Sequence, residues 1–181
     1  IGKIHGFWGN INVIVKAYAY MYTLGGTGLK EASELSVLNS NYIAKKLKDV
    51  KGYSLPYDPE KPRKHEAVLS ALNMEEDTHV RALNVSKKLL DYGLHSPTTY
   101  FPLIVPEALM IEPTETEPLE ALNEFIDAMK EISNLAYSNP EEVLSAPHNT
   151  AVGKLDEARA AHPKTICLSW RKYCSIFYIE Q

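Results

Sequence analysis

The sequence predicts an α+β domain in which helices cover a short antiparallel sheet. Apolar residues recur at helical spacing from Leu119 to Ala136 with acidic residues on the other faces, which predicts a long amphipathic helix. Five prolines between residues 97 and 118 keep the preceding stretch from becoming helical, because each lacks a backbone N–H and has a fixed φ angle. A candidate strand, a helix and two short strands therefore come before the long helix, an order typical of this class.

The chain begins with an irregular segment, residues 1–10, whose last residue, Asn10, is a suitable helix N-cap. Residues 11–24 are almost wholly apolar. Their β-branched and aromatic content favours a strand, whereas their length favours a buried helix, and they are too few to span a bilayer unaided. Glycines follow at residues 25 and 26, and a second helix is predicted over residues 29–48, before a loop to residue 64.

The central part of the chain alternates between strand and helix patterns. Residues 65–72 predict a strand, and residues 78–92 predict a helix that follows an acidic run. Gly93 is the expected C-cap of that helix, because only glycine takes the left-handed conformation at no cost. Two short strands joined by a proline-bearing turn then lead to the long helix.

The C-terminal part begins where Asn139 and Pro140 end the long helix. Short helices are predicted over residues 141–144 and 155–161, and an apolar, strand-like tail completes the chain. The predicted organisation is a connecting segment over residues 1–64, an α+β small domain over residues 65–150 and a tail over residues 151–181.

Composition excludes several classes of partner. The net charge of −4 and the pI near 5.9 argue against general binding to nucleic acid or to anionic membranes. The two cysteines, Cys167 and Cys174, form no disulfide framework, so a reducing cytoplasm is the expected compartment. The first residue is Ile1, without a methionine or a signal-type segment, and we expect the chain to be part of something longer.

Two long phrases carry a family resemblance. LDYGLHSPTTYFPLIVPEALMIEPTETEPLEAL, residues 90–122, resembles the C-terminal region of the glycine-decarboxylating P-proteins of the glycine cleavage system. GKIHGFWGNINVIVKAYAYMYTLGGTGLKEASELSVLNSNYI, residues 2–43, resembles the segment that follows the cofactor domain in that family. The resemblance implies a helix rather than a strand over residues 11–24, which would pack with the second helix as a hairpin.

The resemblance also implies a function. It implies the small C-terminal domain of a fold-type I transferase that uses pyridoxal phosphate, from the second subunit of the two-subunit form. The intact oligomer would release CO2 from glycine and pass the aminomethyl group to the lipoyl arm of the H-protein, with P-protein subunit 1 as a further partner. None of the lysines here has the family's His-Lys, glycine-rich context, so this chain alone should bind no cofactor and be inactive.

Four residues are expected to face an active-site cleft formed with the cofactor domain: Asn10, His95, Thr98 and Glu115. Two of them have structural alternatives. His95 is as well explained as a hydrogen-bonded structural histidine. Glu115 lies in the segment PTETE, where Thr114 or Thr116 would cap the following helix and the glutamates would stabilise its dipole.

Other functions remain open from the sequence. The six histidines show no metal-binding spacing and no cluster with cysteine, so no metal site is expected. One alternative is the C-terminal domain of another fold-type I enzyme, an aminotransferase or an amino-acid decarboxylase. Another is a free-standing, non-catalytic interaction module.

Overall fold

A computed structural model describes residues 2–162 together with Ser169 and Arg171. The elements in chain order are α1 (Ile11–Leu47), β1 (Ala67–Ser70), α2 (Leu72–Thr78), α3 (Ala82–Asp91), β2 (Thr98–Thr99), β3 (Ala108–Ile111), α4 (Leu119–Ser138), α5 (Pro140–Leu144) and α6 (Glu157–Ala161). Among these described residues, no helix is both long and apolar enough to cross a membrane.

The three strands of the described chain form one antiparallel sheet in the order β1-β3-β2. Met110 of the central strand β3 lies opposite Val68 of β1 on one side and opposite Thr98 of β2 on the other. All four residues of β3 are buried, whereas β2 is only two residues long and partly exposed. The α+β class and the pair of short strands joined by a proline-bearing turn are thus confirmed.

Helix α4, the end of α1 and the sheet share a single apolar core. Leu122, Ile126, Met129 and Ala136 are buried, as the helical spacing predicts. Leu119 is the exception, with 55% of its surface exposed, because it is the first residue of the helix. The core also contains Leu47 from α1, Leu69 from β1, Leu89 from α3 and Leu109 from β3.

The helix predicted over residues 78–92 corresponds to α3 and starts too early, and α2, which covers the end of the predicted strand and the acidic run, was not predicted. Helix α2 ends at Thr78, because His79 has a left-handed backbone with φ 63°. Helix α3 begins at Ala82, whose N–H donates to the Glu107 carboxylate at 2.7 Å. The same carboxylate accepts two hydrogen bonds from Arg81, at 2.8 and 3.1 Å. A residue from the loop before β3 therefore sets the start of α3, and Gly93 ends the region with φ 72°, as predicted.

Helix α1 consists of two helices that meet at a kink at Gly25 (φ 60°, ψ −174°), a first arm over residues 11–24 and a second arm over residues 26–47, so the helix expected over residues 11–24 and its end at the glycines are confirmed. That conformation is essentially restricted to glycine. Asn10 caps the helix as predicted, accepting a hydrogen bond from the N–H of Asn12 at 3.2 Å. Residues 11–23 are all exposed, so this first arm does not pack against the second as a hairpin would.

Gly25 bends the helix towards the body of the domain. The Tyr20 hydroxyl donates to Glu115, and the Asn39 amide donates to the carbonyl of the neighbouring Thr114. In a straight helix Tyr20 and Asn39 would lie about 28 Å apart along the axis. Both can reach consecutive residues because the helix is bent between them.

The C-terminal elements agree with prediction to within two residues at their starts. Helix α5 begins at Pro140 rather than 141, and helix α6 begins at Glu157 rather than 155. The predicted tail strand lies outside the described residues, as do Cys167 and Cys174.

An ionic network with the buried pair Lys88 and Asp91 at its centre joins α3 to α5 and to the loop after it. Lys88 contacts Asp91 at 3.1 Å and Glu142 at 2.7 Å, and the Lys88 and Asp91 side chains are 8% and 3% exposed. Asp91 also accepts backbone hydrogen bonds from His148 and Asn149. Burial alone raises the pKa of Asp91, but these N–H groups and the Lys88 ammonium outweigh it and hold the pKa below 3.8.

Replacing Lys88 with alanine should lower the free energy of unfolding by about 3 kcal/mol, because it removes the ammonium that neutralises the buried Asp91 carboxylate. Denaturant titration measures the change. Lys130→Ala is the matched control, since Lys130 also pairs with an aspartate three residues away, at 3.2 Å, but both side chains are exposed. The control should cost less than about 1 kcal/mol. Equal losses for the two variants would contradict the role of burial.

Asp91 should make the free energy of unfolding depend on pH in the acid range. Its pKa in the folded protein is below its ordinary value of 3.8, so its stabilising effect is complete well above pH 3.8 and is lost as the pH falls below it. The free energy of unfolding, measured by denaturant titration from pH 6 to about pH 2, should fall more steeply for the wild type than for Asp91→Asn. Asp127→Asn, at the exposed partner of Lys130, should keep the wild-type slope. Parallel slopes for Asp91→Asn and the wild type would refute this assignment.

Candidate functional site

A cavity of about 420 Å³ lies between α1, the segment leading into β2, the end of β3 and the start of α4. Its apolar wall comes from all four of these parts of the chain and includes Ile43, Leu94, Met110, Leu122 and Phe125. Its polar side chains are His95, Ser96, Thr98, Glu112, Thr114 and Glu117. An apolar cavity with a few convergent polar groups is the usual form of a small-molecule site.

Two of the four predicted cleft residues, His95 and Thr98, line this cavity. Pro97 separates them and keeps the segment extended, and Thr98 is held in β2 opposite Met110. The His95 side chain is exposed and has no hydrogen-bond or ion-pair partner among the described residues. The structural alternative, a hydrogen-bonded histidine, finds no partner among these residues, and the cleft-facing role of His95 stays a prediction.

The PTETE segment forms one edge of the cavity rather than a helix cap. Helix α4 begins at Leu119 with Pro118 at the N-cap position, so the predicted capping by Thr114 or Thr116 is wrong. The two threonine hydroxyls instead hydrogen-bond to each other at 2.7 Å. Pro118 follows the segment. Proline is tolerated at the start of a helix, because the N–H that it lacks would have no partner within the helix.

Asn39 of α1 holds this edge in place. Its side-chain amide donates to the carbonyl of Thr114 at 2.9 Å and more weakly to that of Glu117 at 3.4 Å. Asn39 is buried, so few other partners compete for the amide. The edge of the cavity is thereby tied to the second arm of α1.

Glu115 and Asn10 do not line the cavity. Glu115 lies beside it on the PTETE edge and accepts the Tyr20 hydroxyl at 2.9 Å. That hydrogen bond, more than burial, raises the pKa of Tyr20. Asn10 caps the exposed start of α1, so its observed role is structural. The structure brings together His95 and Thr98, sets Glu115 on the rim and leaves Asn10 outside.

The cavity carries acidic and neutral groups but no lysine or arginine among the residues that line it. Pyridoxal phosphate needs an amine for its imine and cations or free N–H groups for its phosphate. The lining residues therefore do not fit the cofactor by themselves. They fit one wall of a site whose amine and phosphate-binding groups would come from outside this cavity.

The structure also assembles a cluster that sequence spacing misses. His65, Glu66 and Glu112 place ligand-type atoms within 4.8 Å of one another. Because Ala67 pairs with Ile111, the antiparallel register sets Glu66 beside Glu112 across the strand ends. Only the pairing of β1 with β3 reveals this proximity, and the expectation that no metal binds stays a prediction.

The comparisons with known proteins agree with this architecture. A solved glycine decarboxylase (P-protein) of the glycine cleavage system, in inhibitor-bound form, superposes with a TM-score of 0.58 over 70% of this chain and 27% of its own, at 23% identity. At that identity the likeness shows the fold alone. Residues 32–151 match the family model "Glycine dehydrogenase, C-terminal domain". The chain therefore belongs to this family.

Several curated relatives share one description. A probable glycine dehydrogenase (decarboxylating) subunit 2 from Thermococcus onnurineus is 55% identical over 96% of this chain and 34% of its own length. Proteins with the same description from Pyrococcus horikoshii and Sulfurisphaera tokodaii are 53% and 49% identical. The chain spans about a third of the length of these relatives.

Asn39→Ala should loosen the PTETE edge, because it removes the donor to the Thr114 carbonyl. Losing a buried hydrogen bond should cost about 1–2 kcal/mol of unfolding free energy. Hydrogen exchange at the amides of residues 114–117 should also become faster. Asn134→Ala, at an exposed position of α4, is the control and should change neither quantity. Unchanged exchange in Asn39→Ala would mean that the edge holds its shape without this amide.

Proposed function

We propose that this chain is the C-terminal part of a pyridoxal-phosphate-dependent glycine decarboxylase, and that it supplies one wall of the active site. The observation that carries the proposal is the cavity lined by an imidazole, His95, that has no partner among the described residues, on a domain of the glycine dehydrogenase family. In the intact enzyme the product would be CO2, and the aminomethyl group would pass to the lipoyl arm of the H-protein. The bound cofactor would supply the electron sink for this chemistry.

The residues of this chain would position the reacting groups and shield them from water. Apolar side chains such as Met110 and Phe125 exclude water from the inner part of the cavity. His95 and Thr98 offer hydrogen-bonding groups near its mouth. The lysine and the phosphate-binding groups would belong to the region that precedes this third in the relatives. The chain by itself should therefore bind no cofactor and have no activity.

The remaining partners follow from the same proposal. A protein that resembles a subunit 2 would act with a subunit 1, in an oligomer, on glycine as substrate and with the H-protein as acceptor. The charge of −4 and the two cysteines fit a cytoplasmic enzyme that binds neither nucleic acid nor anionic membranes.

His95→Ala in the full-length protein should lower the rate of glycine–bicarbonate exchange by about tenfold to a hundredfold, the effect of losing one hydrogen bond to a charged group, which contributes about 1.5–3 kcal/mol. The free energy of unfolding should stay within about 0.5 kcal/mol, since His95 is exposed and has no hydrogen-bond or ion-pair partner in the part of the chain that the structure describes.

His79→Asn is the matched control. His79 is another exposed histidine, away from the cavity, and asparagine tolerates its left-handed backbone. Exchange should be unchanged in this variant. Wild-type exchange in His95→Ala would remove His95 from the site.

A further inference from the structure

Three side chains of the kinds that bind metal ions meet where the central strand β3 ends. His65, Glu66 and Glu112 each offer one ligand atom, and these atoms lie within 4.8 Å of one another. All three residues reach solvent, with 62% of the His65 side chain and 41% of the Glu66 side chain exposed. Neither the apolar core nor the role proposed for His95 uses this cluster, so its chemistry needs a separate explanation.

The strand pairing determines how the cluster forms. Ala67 pairs with Ile111, so Glu66 and Glu112 are the next two residues opposite each other, one step beyond the ladder. The chain bends at His65, whose Nε2 lies 4.0 Å from the Glu66 carboxylate. The lack of metal-binding spacing along the sequence therefore does not exclude a metal site, because the third ligand comes from another strand.

The two glutamates repel each other at this place. Like charges directly opposite on neighbouring strands destabilise a sheet. In the part of the chain that the structure describes, neither carboxylate forms an ion pair with a lysine or an arginine, and Glu66 pairs with His65 alone. A cation held between the two carboxylates would remove the repulsion.

The separations suit one small ion. Nitrogen and oxygen ligands lie about 2.0–2.2 Å from Zn²⁺, so two ligands of a tetrahedral ion are roughly 3.4 Å apart. The ligand atoms of the cluster are at most 4.8 Å apart. The difference is on the order of 1 Å, which exposed side chains can close by rotating about their χ angles.

The kinds of ligand select the kind of ion. An imidazole suits Zn²⁺ and other divalent transition-metal ions, whereas Mg²⁺ and Ca²⁺ prefer sites made of oxygen ligands alone. One imidazole and two carboxylates supply three protein ligands, which leaves a fourth position for water in a tetrahedral shell.

We propose that His65, Glu66 and Glu112 bind one divalent transition-metal ion of the Zn²⁺ type, with water in the remaining position. The ion would join the residue before β1 to the residue after β3. Glu112 also lines the cavity and directly precedes the PTETE edge. The ion would therefore brace the cavity from the sheet, as Asn39 holds the PTETE edge from α1. The proposal does not depend on the proposed function, because metal binding is measured without catalysis.

Equilibrium dialysis of the full-length protein, freed of metal with a chelator, against Zn²⁺ in an excess of Mg²⁺ tests the proposal. His65→Asn, Glu66→Gln and Glu112→Gln should each weaken the binding of one equivalent of Zn²⁺ by at least about tenfold, because each variant removes a ligand. Equal Zn²⁺ binding by the wild type and these variants would overturn the proposal.

Two matched controls carry the same substitutions outside the cluster. His79→Asn and Glu124→Gln lie at exposed positions and should bind Zn²⁺ as the wild type does. Any other zinc site of the full-length protein is common to all the variants and cancels in the comparison. Binding of Mg²⁺ as tight as that of Zn²⁺ would contradict the contribution of His65.

Hydrogen exchange locates the ion by a second, independent measurement. In the wild type, Zn²⁺ should slow exchange at the amides of residues 66–68 and 111–112 by about tenfold, because the ion ties the two strand ends together. The same amides should not respond to Zn²⁺ in Glu112→Gln. Slowing that persists in this variant would mean that the ion binds elsewhere, and it would overturn the assignment.

Discussion

The pairing of β3 with a strand on each side is the constraint on which the rest of this domain depends. The pairing with β1 buries Leu109 and Ile111 in the core beneath the helices. The pairing with β2 sets Thr98 opposite Met110 and so forms part of the cavity wall. At the end of β3 the chain continues into the PTETE edge, so one strand positions both the core and the candidate site.

The two arms of helix α1 have different environments. The second arm ends in buried residues such as Ile43 and Leu47 and behaves as an ordinary core helix. The first arm is apolar but exposed, and it bends at Gly25 towards Glu115. The two arms therefore differ in role, since the second contributes to the core of the domain and the first does not.

Local patterns predicted most of the fold because they describe interactions between near neighbours. The spacing of Leu122, Ile126 and Met129 predicts α4, and Gly93 and Asn10 predict helix ends through the backbone that they favour or cap. The elements that were not predicted depend on contacts between residues far apart in the sequence. Ala82 starts a helix because its N–H reaches a carboxylate 25 residues further along the chain. No local pattern contains that contact.

The candidate site shows the same division. His95 and Thr98 were predicted because a resemblance pointed to their segment, and the structure sets both in the cavity. The capping role predicted for Thr114 and Thr116 failed because these hydroxyls hydrogen-bond to each other, while Asn39 holds the backbone from another helix. The cluster of His65, Glu66 and Glu112 depends on strand register, which spacing along the chain does not encode.

The most direct test of this account is an experimental structure of the full-length protein with pyridoxal phosphate and glycine bound. The account predicts that the cofactor lies at the mouth of the cavity, with His95 within hydrogen-bond reach of it or of the substrate, directly at about 3 Å or through one water. A cofactor held far from this cavity, with His95 facing bulk water, would contradict it.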